Sequence, residues 1–387
     1  MTRYSLWVIE PHDTLVIRDG RPFSPINGLS QAFSLPFVPP SVVAGAVRQR
    51  LGSDASGVFV ADAAAQEQLK SHAVVGPFLV EKSTATIRVY FPRPADALLL
   101  QGSNNWHYLT PRIDPGVVSN MPDSDMLPLY PGASVTPALR RNKARFEGAF
   151  WSHDTLLSWL RQQPVQFNQL SQIEPMPRDT RIHVKMDRNR GTAERGGLFA
   201  TQGLAWQTGS MSKIRQYALA LLIPSQHDAQ MQTQSVSSLG GEQRLAGWKK
   251  ESANVIPVLL QGCPDDIIND VIQMRRCRIV ITTPAYFAQG CMPQRLLQPV
   301  PGIDVQPRIV AVGNDRAEFY SGWDMQKRSP KLSRKFAPAG SVYFVDFADA
   351  SAEMIRRWVM HWWMQPISDT EQDVRDGFGV ALIGAWK

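Results

Sequence analysis

The sequence predicts an α+β fold in two units, on three observations. Short runs rich in β-branched and aromatic residues recur along the whole chain. Few helical patterns interrupt them, and these lack the regular strand–helix alternation of a doubly wound parallel sheet. A polar, Gln-rich stretch from Ser225 to Ser238 divides the runs into an early and a late group. The expected organisation is a first domain over 1–224, a linker over 225–254 and a second domain over 255–387. A length of 387 residues accommodates two domains, and 43% hydrophobic residues are enough to fill their cores.

Taken in order, Tyr4–Glu10 reads as a strand, followed by a loop rich in Pro, Gly and Ser up to Pro39. Ser41–Leu51 reads as a helix with Ser41 as N-cap and Gly52 as its stop. Residues 53–72, rich in Ala and Asp, look like an insertion. Ala73–Val80 and Ala85–Phe91 read as strands, and between Pro92 and Pro137 the pattern shows no regular structure. Arg181–Met186, a turn at Asn189-Arg190-Gly191-Thr192 and Leu198–Trp206 form a basic hairpin. Tyr217–Pro224 is a buried strand. In the late group Val255–Leu260, Arg278–Thr283, Ile309–Val312, Ser341–Phe347 and Val380–Trp386 read as strands. Asp265–Met274 and Ala350–Trp363 read as helices.

The net charge is +7, but it is unevenly placed. Arg140, Arg141, Lys143 and Arg145 give +4 over 140–145; residues 178–195 carry +3; Lys327, Arg328, Lys331, Arg334 and Lys335 give +5 over 327–335. The rest of the chain is at −5. Charge gathered into short segments suits a polyanion track. Cys263, Cys277 and Cys291 are too few and too irregular for a disulfide framework or a structural zinc, so reduced thiols in a cytoplasmic protein are expected. Neither a signal peptide nor a membrane-spanning apolar run is legible, and no membrane partner is expected.

The stretch Ile9-Glu10-Pro11-His12-Asp13-Thr14-Leu15-Val16-Ile17-Arg18-Asp19-Gly20-Arg21-Pro22-Phe23 resembles the opening of the third-subunit family of type III-B CRISPR effector (Cmr) complexes, within the RAMP superfamily. Pro40-Ser41-Val42-Val43-Ala44-Gly45-Ala46-Val47-Arg48 is similar to its next element, and Leu239-Gly240-Gly241-Glu242-Gln243-Arg244 to its Gly-Gly-Glu-x-Arg element. Thr283-Pro284-Ala285-Tyr286-Phe287, Gly322-Trp323-Asp324 and Pro338-Ala339-Gly340-Ser341-Val342-Tyr343-Phe344 resemble the C-terminal motifs. The closing Gly377-Phe378-Gly379, followed by Val380–Trp386, resembles the superfamily's glycine-rich loop and last strand. His12 and Thr14 stand where apolar residues or Pro are usual, and 53–72 and 95–137 match no family element.

The resemblance implies two ferredoxin-like (RRM-like) domains with long loop insertions. It implies an antiviral ribonucleoprotein subunit that binds the repeat-derived 5′ tag of the CRISPR RNA. It also implies docking to the large polymerase-like signalling subunit and to a backbone RAMP subunit. Expected RNA contacts are Arg18, Asp19, Gly20, Arg21, Ser41, Arg48, Arg244, Gly377, Phe378 and Gly379 from the family elements. The basic segments add Arg140, Arg141, Lys143, Arg181, His183, Lys185, Lys327, Arg328 and Lys331. Guanidinium groups suit bidentate phosphate contact and stacking on bases. On the hairpin, Arg181, His183 and Lys185 share one strand face; Ile182, Val184 and Met186 share the other, which is expected to pack. Local pairing with Asp19, Asp187 and Glu194 is the competing structural reading. A small-residue helix face at Ala44-Gly45-Ala46 is expected to pack on the domain's own sheet.

Gly377-Phe378-Gly379 precedes a strand rather than a helix, which disfavours dinucleotide binding. No metalloprotease, P-loop or nucleophile-elbow motif is present. His12 with Asp13 and His153 with Asp154 are adjacent in sequence, and adjacency on a strand sends side chains to opposite faces. Neither a catalytic residue, nor a metal, nor a cofactor is expected. A repeat-processing endoribonuclease of the same superfamily and a protein-only scaffold are the alternative readings.

Overall fold

In the computed structural model, Tyr4–Pro11 is a strand whose Leu6, Trp7, Val8 and Ile9 are each at most 1% exposed. Successive side chains on a strand point to opposite faces, so four buried in a row require cover on both. Lys213–Pro224 and Leu245–Lys250 fill its two edges, both antiparallel. Val75–Lys82 pairs with the outer edge of Lys213–Pro224, and Val236–Ser238 with that of Leu245–Lys250, again antiparallel. The helix Pro40–Leu51 follows the first strand and packs Val43, Ala44 and Val47 inward, in contact with Val75–Lys82. The structure describes residues 3–18, 30–82, 86–113, 126–167, 172–210, 213–231, 236–240, 244–252, 256–324 and 329–387.

The chain forms two units that interleave along the sequence. The first takes Met1–Ile87, Pro175–Glu251 and Phe319–Lys335; the second takes Arg88–Glu174, Ser252–Glu318 and Phe336–Lys387. The sequence predicts a contiguous division, with 88–174 in the early group. One buried cluster accounts for the difference. Arg278, on the strand Arg276–Ile281, is 1% exposed, and its guanidinium pairs with the carboxylate of Asp96, which is 0% exposed. Asp96 also accepts from Trp159 Nε1 at 2.9 Å, and Arg278 donates to the carbonyls of Trp159 and Ala385. A charge out of water needs every partner in place, so this cluster fixes 96–159 against the C-terminal strands. Trp106, Trp151 and Trp159 pack beside it.

The sheet of the second unit runs Arg308–Gly313, Val342–Asp346, Arg276–Ile281, Ala381–Ala385, all neighbours antiparallel. Helices Asp265–Met274 and Ala352–Trp362 touch each other and the strand Ala381–Ala385. Ser351 caps the second of these, its hydroxyl accepting from the Met354 amide.

Four expectations are corrected, at 92–137, after Pro224, at Val258–Gln261 and at the start of the helix at 40. Between 92 and 137 the chain forms antiparallel strands Ala97–Leu100 and Asn105–Pro111. Residues 53–72 include a helix, Ala63–Lys70, capped by Asp62. The stretch after Pro224 is structured: Met231 is buried, and the Asp228 carboxylate holds Ser5, Trp7 and Lys250. Val258–Gln261, expected within a strand, is one helical turn after Pro257. The helix at 40 starts one residue early, with Pro39 at the N-cap, so Ser41 lies inside the first turn and makes no cap bond. The three cysteines are unbonded. Among the described residues no helix is long and apolar enough to cross a membrane.

Candidate nucleic-acid interface

Asp13 stands at the centre of the first unit's charged residues. The loop after the first strand is held to the base of the hairpin by Leu15 and Leu204, which exchange backbone bonds of 3.1 and 2.8 Å. This places Asp13 beside Arg181, whose Nη2 donates to Oδ1 at 2.8 Å, and beside Arg244, whose guanidinium donates to Oδ2. Arg181 Nε donates to Asp179 at 2.8 Å, and the Thr14 hydroxyl donates to the same Asp179 oxygen at 2.9 Å. Two family elements and the basic hairpin, far apart in sequence, therefore meet on one carboxylate. The Arg181 guanidinium bonded to it holds the Asp13 carboxyl below its ordinary range, with Arg244 adding to the effect. Thr14, unusual for the family, takes part through its hydroxyl, and Gly203 makes room for it: a Cβ there would lie 2.2 Å from Thr14 Cγ2.

Two arginines facing two aspartates form a balanced group, so Arg181 and Arg244 act here as braces between loop and hairpin. Along the hairpin, Arg178–Asp187 and Thr192–Leu204, Lys185 pairs with Glu194 at 2.7 Å. His183 bonds Thr201 at 2.9 Å and stacks on Phe199. On the polar face Lys185 meets the expected Glu194, whereas Arg181 meets Asp13 and Asp179. The apolar face does not pack as expected: Ile182 is 72% exposed, Val184 44% and Met186 49%.

Arg48 donates to the carbonyl of His72 at 3.0 Å and ties the helix to the chain entering Val75–Lys82. Gly45, expected to pack, is exposed, with nothing within 4 Å of where a Cβ would stand; Ala44 and Ala46 are the buried members. The Arg18 backbone bridges to Ser34, and its side chain is exposed. Asp19, Gly20, Arg21, Lys327 and Arg328 lie outside the described residues. Lys331 is exposed.

The closing glycine loop is interior. Gly377 ends the helix Glu371–Asp376 with a left-handed φ of 91°, and Phe378 is 2% exposed against Phe336. The Thr283 hydroxyl donates to the Gly377 carbonyl at 2.8 Å and accepts from the amides of Gly379 and Val380, each at 2.9 Å. One hydroxyl of the Thr-Pro motif thus fixes the whole turn. Gly379 has φ +85°, and a Cβ would sit 3.1 Å from Ala285 Cβ and from the Ser368 backbone and hydroxyl. Its conformation and its neighbours within the chain both require glycine.

Arg140, Arg141 and Lys143 differ from the hairpin cations. They are exposed around the 3₁₀ turn Leu139–Arg141, and their side chains make no hydrogen bond or ion pair with described residues. Asp13 is committed to arginines, so His12 and Asp13 form no acid–base pair. His153 and Asp154 do touch, at 3.2 Å, because they occupy the first turn of a helix rather than a strand. Asp154 is exposed there, and burial pushes the His153 pKa down. Among the described residues no three His, Cys, Asp or Glu side chains gather as a metal site would require.

The geometry defines a mixed α+β chain with a largely antiparallel strand pairing and basic segments at its surface. The sequence matches the CRISPR-associated protein family Cas_Cmr3 over residues 7–386, and the chain belongs to that family. No curated protein is similar enough in sequence to match. A chain of the Type III-B Cmr-beta complex bound to cognate target RNA is similar at 14% identity, with 88% of this chain and 86% of that one covered and a TM-score of 0.48. The same complex with target RNA and AMPPnP gives 14% identity, the same coverage and a TM-score of 0.47. A chain of the Csm3-Csm4 subcomplex of the type III-A CRISPR-Cas interference complex gives 8% identity over 99% of both chains, with a TM-score of 0.37.

Proposed function

We propose that this chain is a non-catalytic subunit of a type III-B (Cmr) effector complex that binds the 5′ tag of the CRISPR RNA. The tag reading includes docking to the large polymerase-like subunit and to a backbone RAMP subunit. The observation that carries it is membership of the Cas_Cmr3 family across nearly the whole chain. Strand order supports two ferredoxin-like domains. In a β-α-β-β-α-β unit the third strand lies between the second and the first, and the first lies beside the fourth. The first unit runs Val75–Lys82, Lys213–Pro224, Tyr4–Pro11, Leu245–Lys250, which is second, third, first, fourth in sequence. The second unit runs Arg308–Gly313, Val342–Asp346, Arg276–Ile281, Ala381–Ala385, the same order. RNA-recognition modules use such four-stranded sheets.

Assembly of the complex with and without this chain tests the reading. Its omission should leave the 5′ tag open to nuclease digestion and release the large subunit from the particle. A tag protected equally without it would overturn the proposal. Cleavage of repeat RNA by the chain alone would favour the endoribonuclease reading instead.

A further inference from the structure

The loop 139–146 combines three features. Its backbone is fixed: Asn142 Nδ2 donates to the Gln101 carbonyl at 2.8 Å, the Gln101 amide donates to the Lys143 carbonyl at 3.0 Å, and Ala144–Arg145 pairs with Leu99–Leu100. Its cations Arg140, Arg141 and Lys143 are exposed and carry no carboxylate partner among the described residues. Arg145 alone folds back, onto Glu147 at 2.7 Å and over the Phe167 ring at 5.1 Å. The third feature is Phe146, which is 86% exposed.

Scattered exposed apolar residues are ordinary, but this one stands three residues from the exposed Lys143 on a fixed backbone. A protein partner recognised through apolar contact needs a contiguous patch of several hundred Å². Phe146 offers a single ring between Arg145 and Glu147. Single-stranded nucleic acid matches all three features: phosphates follow cations, and a base stacks on a lone aromatic face. The fixed backbone lowers the ordering cost of binding.

We infer that loop 139–146 is a docking site for unpaired RNA, with phosphates at Arg140, Arg141 and Lys143 and one base stacked on Phe146. The inference rests on the RNA-binding reading above and adds to it a site chosen by charge and stacking, not by base sequence. Every base has a π face, so such a site tolerates any sequence. The hairpin differs, because its Arg181 and Lys185 already meet carboxylates.

The test titrates the full chain against fluorescein-labelled oligouridine and a labelled tag RNA across a salt series. Phe146→Ala should weaken oligouridine binding roughly tenfold with an unchanged salt slope, and Phe146→Trp should retain binding. Arg140→Gln, Arg141→Gln and Lys143→Gln together should reduce the log–log salt slope by about 2. All these side chains are exposed, so melting of the variants should match the parent. If the variants bind both RNAs as the parent does, the inference fails and the RNA-binding reading stands. If the parent binds neither RNA, both fail. If the variants lose a partner subunit while their RNA affinities are intact, the loop is a protein interface and the inference is overturned.

Discussion

Asp13 shows how one residue joins distant parts of this sequence. Its carboxylate receives Arg181 and Arg244, 168 and 231 positions away. The sequence marked all three residues as notable but assigned the arginines to RNA, because partners so distant in sequence are invisible in a single chain. The network has a pH signature. Asp13 has its folded-state pKa lowered, so its contribution to stability is complete above the ordinary carboxylate range. That contribution is lost as pH falls through about 4 toward the folded-state value. Urea midpoints measured from pH 6 to pH 3 should therefore fall more for the parent than for Asp13→Asn. Parallel curves would remove Asp13 from the brace. The family resemblance places Gly379 among the RNA contacts, and its surroundings in the fold give a second reason for glycine. Its φ of +85° and the 3.1 Å approaches to Ala285 and Ser368 favour conformation. Gly379→Ala should cost on the order of 1 kcal/mol or more in chemical denaturation, while the folded variant binds tag RNA normally. Normal melting with lost tag binding would reverse that assignment.

Elements with strong periodicity were readable and mixed ones were not. Asp265–Met274 was placed at its observed bounds because its acidic first turn and apolar face agree. Asn105–Pro111 was missed because His107 and Asn105 interrupt the pattern, although His107 is buried between the hydroxyls of Ser103 and Ser134. Tertiary hydrogen bonds satisfied a polar residue that sequence reasoning left in a loop. The hairpin was found, with its faces misjudged. Its apolar stripe reaches solvent, so Ile182→Ser with Val184→Ser should leave the melting of the chain within about 0.5 kcal/mol of the parent. A loss above about 2 kcal/mol, of the size core truncations give, would mean that the stripe is packed after all.

At the scale of the molecule, the ordered set of family elements was the informative signal. It pointed to the family to which the whole chain belongs. The interleaving of the two units was hidden, because it depends on Arg278 meeting Asp96 across 182 positions. A lone Arg in an apolar strand reads as a surface residue until its partner is known. The central claim is that this chain grips the guide's tag without cutting it. The direct measurement is fluorescence anisotropy of the full chain against a labelled 5′-tag RNA, with a scrambled RNA of equal length as competitor and the RNA recovered afterwards. The account predicts saturable binding, weaker competition by the scrambled RNA, and intact RNA at the end. Equal competition by the scrambled sequence, absence of binding, or cleaved RNA would contradict it.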